Sequence, residues 1–434
     1  MKGIWNKVLR VDLSRGSCKA EKVPDKVYEY FLGGEGLGAY FMWRESPRGT
    51  LPFDPANCLT FGAGTLNGIQ QSGADKWATT AISPSIYMNA GSAATASFGL
   101  ETKAAGYDAI VVTGRAEKPV YLVVDNDKAV LKDASHLWGK DAYEVEDAIH
   151  AAEGDNFEVA SIGQAGERGV RFANIQTRKK SYCGRSGLGA IMGSKLLKAI
   201  AIRGTQELNY HNSAELDKLN KEINRRLAIM DSQKTEWLQI KRVGTAMATE
   251  LFAPQGNLPI SNYRLADWPE GVKAWHASNY AKELNAKPWP CKYCVIQCHN
   301  LCEVTEGPYQ FKGKGPEYES FAMMGFNCMV DNVKAVAYAG ELANMYSMDT
   351  ISLGVVIAWA MECYEKGVLT KKDTYGLDLK WGNAEALVEM TKKIGLREGG
   401  LAYLLGEGCQ YAAQRIGKGS EDWAVAMKGQ EIAA

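Results

Sequence analysis

Net charge is what this chain most plainly lacks. Fifty Lys and Arg residues stand against fifty Asp and Glu, so the overall balance offers nothing to a nucleic-acid backbone or an anionic membrane surface. Long apolar runs are missing as well: the longest lies near Ile351 to Met361 and is too short to span a bilayer. The opening residues, Met1 to Lys7, contain no apolar stretch and no small-residue cleavage site, which reads against a signal peptide. A soluble, cytoplasmic protein is the expectation. Proline is not enriched, and no repeat, low-complexity tract or flexible linker interrupts the chain.

What is present is ordinary globular material: 434 residues, 46% hydrophobic and 23% charged, a length that suggests two or three domains. A chain this long buries roughly three quarters of its surface and needs no disulfide for stability. Glycine is the exception. Its 45 residues exceed average usage and point to tight turns or close backbone approach to a ligand.

The first half alternates strands with short helices. Lys7 to Leu13 has period two and ends in the turn Ser14-Arg15-Gly16, predicting a hairpin. Pro24-Asp25 opens a helix that Gly33-Gly34 closes. Asp108 to Thr113, Val120 to Val124 and Val159 to Ile162 read as strands, and Ala142 to Ala152 as a helix. A glycine loop, Gly184 to Gly189, leads into the stretch from Ala190 to Ile202. Composition changes near Leu208, where Asn212-Ser213-Ala214-Glu215 resembles a capping box. Helical periodicity then dominates, at 273–286, 331–347, 352–366, 384–394 and 401–416. The fold class expected is α+β: a β-rich N-terminal domain over 1–208, then a mostly α-helical domain over 209–434.

Of ten cysteines, Cys18, Cys58, Cys183, Cys328, Cys363 and Cys409 are scattered, whereas Cys291, Cys294, Cys298 and Cys302 crowd into twelve residues. That crowding suggests metal ligation in a reducing compartment. The spacing Cx2Cx3C places Cys291, Cys294 and Cys298 on one side of a turn entering a helix. Thiolates that close repel one another unless a cation shares them. A c-type haem is excluded because three residues separate Cys294 from Cys298-His299 where CxxCH needs two, and the radical-SAM triad has its gaps in the opposite order. Zinc with His299 or Cys302 as fourth ligand stays open. An iron–sulfur cluster, with the fourth thiolate from elsewhere, fits best; Cys302 and Cys328 are the near candidates for that ligand.

Several long motifs in order carry a resemblance: Lys103-Ala-Ala-Gly-Tyr-Asp-Ala-Ile-Val-Val112, Asp133-Ala-Ser-His-Leu-Trp-Gly-Lys140, Gly184-Arg-Ser-Gly-Leu-Gly-Ala-Ile-Met-Gly-Ser-Lys195, the Cx2Cx3C and Gly315-Pro-Glu-Tyr-Glu-Ser320. The chain resembles the tungsten-containing aldehyde:ferredoxin oxidoreductases from Trp5 to its last residue. The resemblance implies an N-terminal domain cradling a tungsten (or molybdenum) bis-pterin, with a [4Fe–4S] cluster beside it. It implies oxidation of an aldehyde to a carboxylic acid, with electrons passing through the cluster to ferredoxin or a ferredoxin-like subunit. Relatives acting on acyl-CoA substrates form an alternative, as does a non-catalytic electron-transfer or scaffold subunit.

Carried over residue by residue, the resemblance makes Cys291, Cys294 and Cys298 cluster ligands and Glu319 the acid/base near the metal. Glu317 is read as structural. Pterin contacts would fall on Lys76, Ala93, Thr95, Gly184, Arg185, Asn344, Met348 and Asp349. Lys76 replaces an Arg and loses its fork. Ala93-Ala94-Thr95-Ala96 replaces Asn-Ser-Gly-Gly, Ser181-Tyr182 replaces Arg-Ala, and Asn344 replaces an Asp. Tyr338 stands where a Glu would help hold a dimer-bridging iron, so that iron is expected to be absent. Plain readings stand beside these: Gly184 to Gly189 as a tight packing turn, Asp349 as a helix cap, and Glu319 as a helix-start carboxylate. The family continues into a third domain, supplying the fourth cluster Cys, and this sequence stops at Ala434 where that domain would begin. A fragment, a subunit completed by a separate chain, or a degenerate paralogue are the three expectations.

Overall fold

The computed structural model describes residues 2–232 and 236–434, and the side chains of these except 230–239. Two compact units divide them: 1–169, 173–227 and 291–295 form the first, and 170–172, 228–290 and 296–434 the second. The composition change near Leu208 precedes the helix Ser213–Ser232, and the division falls within that helix. Asn212 accepts from the Glu215 N–H at its start, 3.1 Å, as the capping pattern predicts.

The first unit holds two six-stranded sheets. In chain order the strands are β1 (Lys7–Asp12), β2 (Ser17–Lys22), β3 (Leu59–Ala63), β4 (Trp77–Ile82), β5 (Asn89–Ala94), β6 (Ala109–Thr113), β7 (Val120–Asp125), β8 (Lys128–Asp133), β9 (Glu158–Ser161), β10 (Ile175–Thr177), β11 (Ser181–Cys183) and β12 (Leu197–Arg203). One sheet runs β2-β1-β6-β3-β4-β5 and the other β11-β10-β9-β12-β7-β8. The expected hairpin forms, with Asp12 opposite Ser17.

Period-two alternation decides which side chains meet. Leu9, Val11, Ile110 and Val112 from the first sheet share a core with Leu122, Val124, Ile200 and Ile202 from the second. Their neighbours Val8, Ala109 and Val111 face the opposite way, against Leu37 and Phe41 of the helix Gly34–Glu45. Val123, Val159 and Ala201 do the same against Val145 and Ile149 of the helix Ala142–Glu153. A reciprocal capping box between Asp141 and Glu144 starts that helix. Asp108 ties the chain start to this frame: buried, it pairs with buried Lys103 and accepts from Tyr28 Oη at 2.7 Å and the Trp5 N–H at 3.0 Å. The motif from Lys103 to Val112 thus has a packing role in this chain.

The second unit is mostly helical: Pro269–Ala274, Ala277–Glu283, Val333–Tyr346, Thr350–Glu365, Ala384–Gly395, Gly400–Leu405 and Cys409–Ile416. Every residue from Ser352 to Cys363 is buried, so the apolar run noted above is core. Two expected helices are broken. The one at 273–286 parts at Trp275-His276, where His276 caps the next helix by accepting from the Ser278 N–H. The one at 401–416 parts at Gly406 to Gly408, with Gly408 at φ +94°. A three-stranded sheet, Lys287–Pro288, Asn300–Val304 and Phe311–Lys314, goes beyond the helical expectation for this half. Among the described residues no helix is long and apolar enough to cross a membrane.

Candidate cofactor and cluster site

β5 and β11 are the end strands of the two sheets, and they approach each other. Thr95 follows β5 and Ser181 opens β11. The Thr95 N–H donates to Ser181 Oγ at 2.8 Å, and the two hydroxyls lie 2.9 Å apart. Thr95 Oγ1 also lies 3.5 Å from Cys291 Sγ. The edges of two sheets therefore deliver a hydroxyl pair to the first cysteine of the Cx2Cx3C motif.

Charge gathers at the same place. Asp75 and Lys180 are buried, and Asp75 accepts from the Ala96 N–H at 3.3 Å. Burial pushes the Asp75 carboxyl above its ordinary range, opposed by the Ala96 amide and by the charges of Lys180 and Lys76. Burial likewise raises Cys291, opposed by the Thr95 hydroxyl and by Lys180. Sequence reasoning missed Asp75, Lys180 and Ser181 as site residues. Only Ser181 left a signal, as a departure from the family pattern.

The other expected residues of this unit are placed as follows. Lys76 is exposed immediately before β4. Ala93 is exposed on β5 opposite Ala78. Gly184 and Arg185 follow β11 and are half-buried. The glycine loop has two parts. A Cβ at Gly189 would come within 2.1 Å of the Asn174 carbonyl oxygen, so that glycine serves packing; a Cβ at Gly184 would meet nothing within 4 Å.

The cysteine segment needs a correction. No helix follows Cys291: residues 291–299 are turns and bends before the strand Asn300–Val304. Tyr293 at φ +62° and Gln297 at φ +56° break helical geometry, so the shared helical face does not exist. The segment is held instead by local bonds, from the Cys294 N–H to the Cys291 carbonyl at 3.1 Å and from the Val295 N–H to Ser72 Oγ at 3.1 Å. Cys291 and Cys294 belong to the first unit and Cys298 to the second. All three are half-buried. Among the described residues no group of three or more His, Cys, Asp or Glu side chains is gathered at metal-holding distance.

In the second unit, Asp349 is buried and caps the helix Thr350–Glu365, accepting from the N–H groups of Ile351 at 3.0 Å and Ser352 at 3.3 Å and from Ser352 Oγ at 2.9 Å. The plain reading of Asp349 is thus present. Met348 is buried, and half-buried Asn344 donates to Glu341 at 3.2 Å. Glu319 is half-buried in the first turn of the short helix Tyr318–Phe321, as the helix-start reading has it, accepting from the Ala434 N–H at 3.1 Å. Glu317 pairs with His299 at 3.1 Å and Lys314 at 2.8 Å. Buried Cys302 lies 3.7 Å from Tyr280 Oη, and burial pushes its thiol up to about 12. Cys328 donates to the Met323 and Gly354 carbonyls. Both thiols are engaged in the interior of this unit.

The donor set fits the expected groups in chemistry. Cys291 offers a soft sulfur donor, and the Thr95 hydroxyl and the Lys180 charge oppose the burial that raises its thiol, which suits a cluster iron. Open space at Gly184, with Arg185 beside it and the cation Lys76 on the same unit, suits an anionic pterin phosphate.

Residues 8–204 match the family described as aldehyde ferredoxin oxidoreductase, N-terminal domain, and residues 218–434 match that described as aldehyde ferredoxin oxidoreductase, domains 2 and 3. The chain is 34% identical over 438 residues to the tungsten-containing aldehyde ferredoxin oxidoreductase of Pyrococcus abyssi, covering all of this chain and 70% of that protein. It is 32% identical to the aliphatic sulfonate oxidoreductase, WOR-like subunit, of Pyrococcus furiosus, covering 99% of this chain and 70% of that one. Among solved structures, the active site complex BamBC of benzoyl coenzyme A reductase with 1,5-dienoyl-CoA superimposes with a TM-score of 0.88 at 30% identity. That match covers 99% of this chain and 66% of the other.

Proposed function

Because the chain belongs to the aldehyde ferredoxin oxidoreductase family, we propose that this oxidoreductase converts an aldehyde and water to a carboxylic acid, two electrons and two protons. A tungsten or molybdenum bis-pterin would polarise the oxygen and take up the electron pair, and a [4Fe–4S] cluster would release electrons singly to ferredoxin or a ferredoxin-like subunit. The observation that carries this reading is the convergence of Thr95, Lys180 and Cys291 where β5 meets β11.

In this reading Cys291, Cys294 and Cys298 hold the cluster through their thiolates. Gly184 leaves room for the pterin and Arg185 grips it with a planar fork, while Lys76 supplies a point charge to phosphate. Ala93 offers backbone groups only. Met348 and Asn344 line the pterin, and Asp349 orients it while capping its helix. Glu319 takes the proton released from the aldehyde hydrate.

A second reading, an acyl-CoA substrate, is favoured by the 1,5-dienoyl-CoA bound in the solved neighbour. A third is an electron-transfer or scaffold subunit, favoured by the replacements at Ala93 to Ala96 and at Asn344. Anaerobic purification followed by mass-spectrometric counting of Fe, Zn, W and Mo separates them. About four iron atoms and one W or Mo per chain, with aldehyde-dependent reduction of a viologen dye, is the expected result. Dye reduction driven only by a dienoyl-CoA, oxidised to the aromatic acyl-CoA, selects the second reading. Iron without W or Mo selects the electron-transfer subunit, and zinc alone or no metal overturns both enzymatic readings and leaves a remnant of the fold.

A further inference from the structure

Thr95 and Ser181 stand where the family pattern has a glycine and an arginine, and the structure joins these two replacements to each other and to Cys291. The Thr95 N–H donates to Ser181 Oγ at 2.8 Å, and that oxygen keeps both a lone pair and its hydrogen for Thr95 Oγ1, 2.9 Å away, so the sulfur decides the direction. A metal-bound thiolate only accepts, so Thr95 Oγ1 gives its one hydrogen to Cys291 Sγ at 3.5 Å and accepts from Ser181: amide to Ser181, Ser181 to Thr95, Thr95 to sulfur. The backbone of β5 and β11 sets the positions of both hydroxyls.

We infer that the Thr95–Ser181 hydroxyl pair is a built-in donor to the Cys291 thiolate that raises the reduction potential of the cluster this thiolate holds. Each one-electron reduction adds negative charge to the iron–sulfur core and its ligand sulfurs. A hydrogen bond to sulfur therefore stabilises the reduced form more than the oxidised one. Thr95 is a positioning residue acting through Cys291, and the inference rests on the cluster reading proposed above.

The test is a dithionite titration of the anaerobically purified protein, followed by the electron paramagnetic resonance of the reduced cluster. If the donor favours the reduced form about tenfold, Thr95→Val lowers the midpoint by about 59 mV for one electron. Thr95→Ser keeps the hydroxyl and the wild-type midpoint. Ser181→Ala removes only what orients that hydroxyl and lowers the midpoint by less. Thr95→Gly, which restores the family residue, repeats the valine result without its bulk and covers poor folding of Thr95→Val. Equal midpoints in wild type, Thr95→Gly and Ser181→Ala overturn the inference while leaving the cluster reading intact, and so does a Thr95→Ser shift as large as that of Thr95→Gly. Wild-type protein without cluster iron overturns both.

Discussion

Two segments that the family pattern sends to the cofactor, the junction of β5 with β11 in the first unit and the start of helix Thr350–Glu365 in the second, treat their polar groups in opposite ways. At the helix start both Asp349 oxygens receive donors from residues two and three positions ahead, as a helix cap requires. At the junction the polar groups come from 75, 95, 180, 181 and 291; no local motif explains why a threonine hydroxyl, a buried lysine and a thiol should meet. A carboxylate that caps its own helix is weak evidence for a ligand even when it aligns with one. Groups brought together from distant parts of the chain are better evidence, because something other than the local turn holds them there.

The largest effect expected lies two strands inward from β11, at Glu158 on β9, and it asks whether charge hidden inside a sheet behaves differently from charge gathered at its edge. Burial pushes this carboxyl from about 4.5 up to about 7 despite the Arg178 guanidinium 2.5 Å away. A folded value above the unfolded one means that the favourable contribution is complete below about 4.5 and is lost as pH rises through about 7. Urea unfolding of Glu158→Gln and wild type at pH 5 and pH 8 measures it. The variant gains relative to wild type between the two pH values by up to about 3 kcal/mol. A difference independent of pH would place Glu158 among the groups that its partner fully compensates.

Asp349 comes next and bears on the comparison directly. Removing a cap that takes two N–H groups and a hydroxyl costs about 2 kcal/mol, read as a lower urea midpoint for Asp349→Ala. Asp349→Asn recovers most of it. Tungsten or molybdenum content measured on the same preparations separates the roles. If the asparagine variant is stable yet loses the metal, Asp349 touches the pterin as well as capping its helix, and the contrast between the two segments weakens.

What is legible in the sequence follows the same division between local and distant. The hairpin at 7–22, the strands beginning at 109 and 120, and the helices near 142, 333, 350 and 384 carry their own periodicity and caps, and the sequence reading agrees with the structure there. The helix Gly34–Glu45 is hidden by Gly33, Gly34 and Gly36, which look like a stop; a side chain at 36 would strike the Phe31 carbonyl at 2.1 Å. The sheet at 287–314 carries Pro288 and a polar Phe-Lys-Gly-Lys strand, neither of which reads as β structure. Within the site, the cysteine spacing is visible but the helical face inferred from it is wrong, since left-handed turns at Tyr293 and Gln297 have no glycine to announce them. Asp75 and Lys180 give no signal, because their meaning depends on bringing β5 to β11, which no window of sequence contains.

The smallest effect expected is also the one that most sharpens the description of the junction. Ala96 is buried at φ +70°, beside Ser97 at φ +69°, in the left-handed region that costs an ordinary side chain roughly 1–2 kcal/mol. The family pattern has glycine at 96. The conformation persists because the Ala96 N–H is directed at Asp75 Oδ2 and Thr95 is held by Ser181, so the bonds that build the site also hold the strain. Ala96→Gly relieves the steric part but adds freedom to the unfolded chain, for a net gain of about 0.5–1 kcal/mol in urea unfolding. In Ser181→Ala, which removes the acceptor of the Thr95 N–H and the partner of its hydroxyl, the same substitution gains less, because the turn is no longer held left-handed from that side. Equal gains in the two backgrounds would mean that the backbone sets the turn by itself and that the hydroxyl pair merely occupies it.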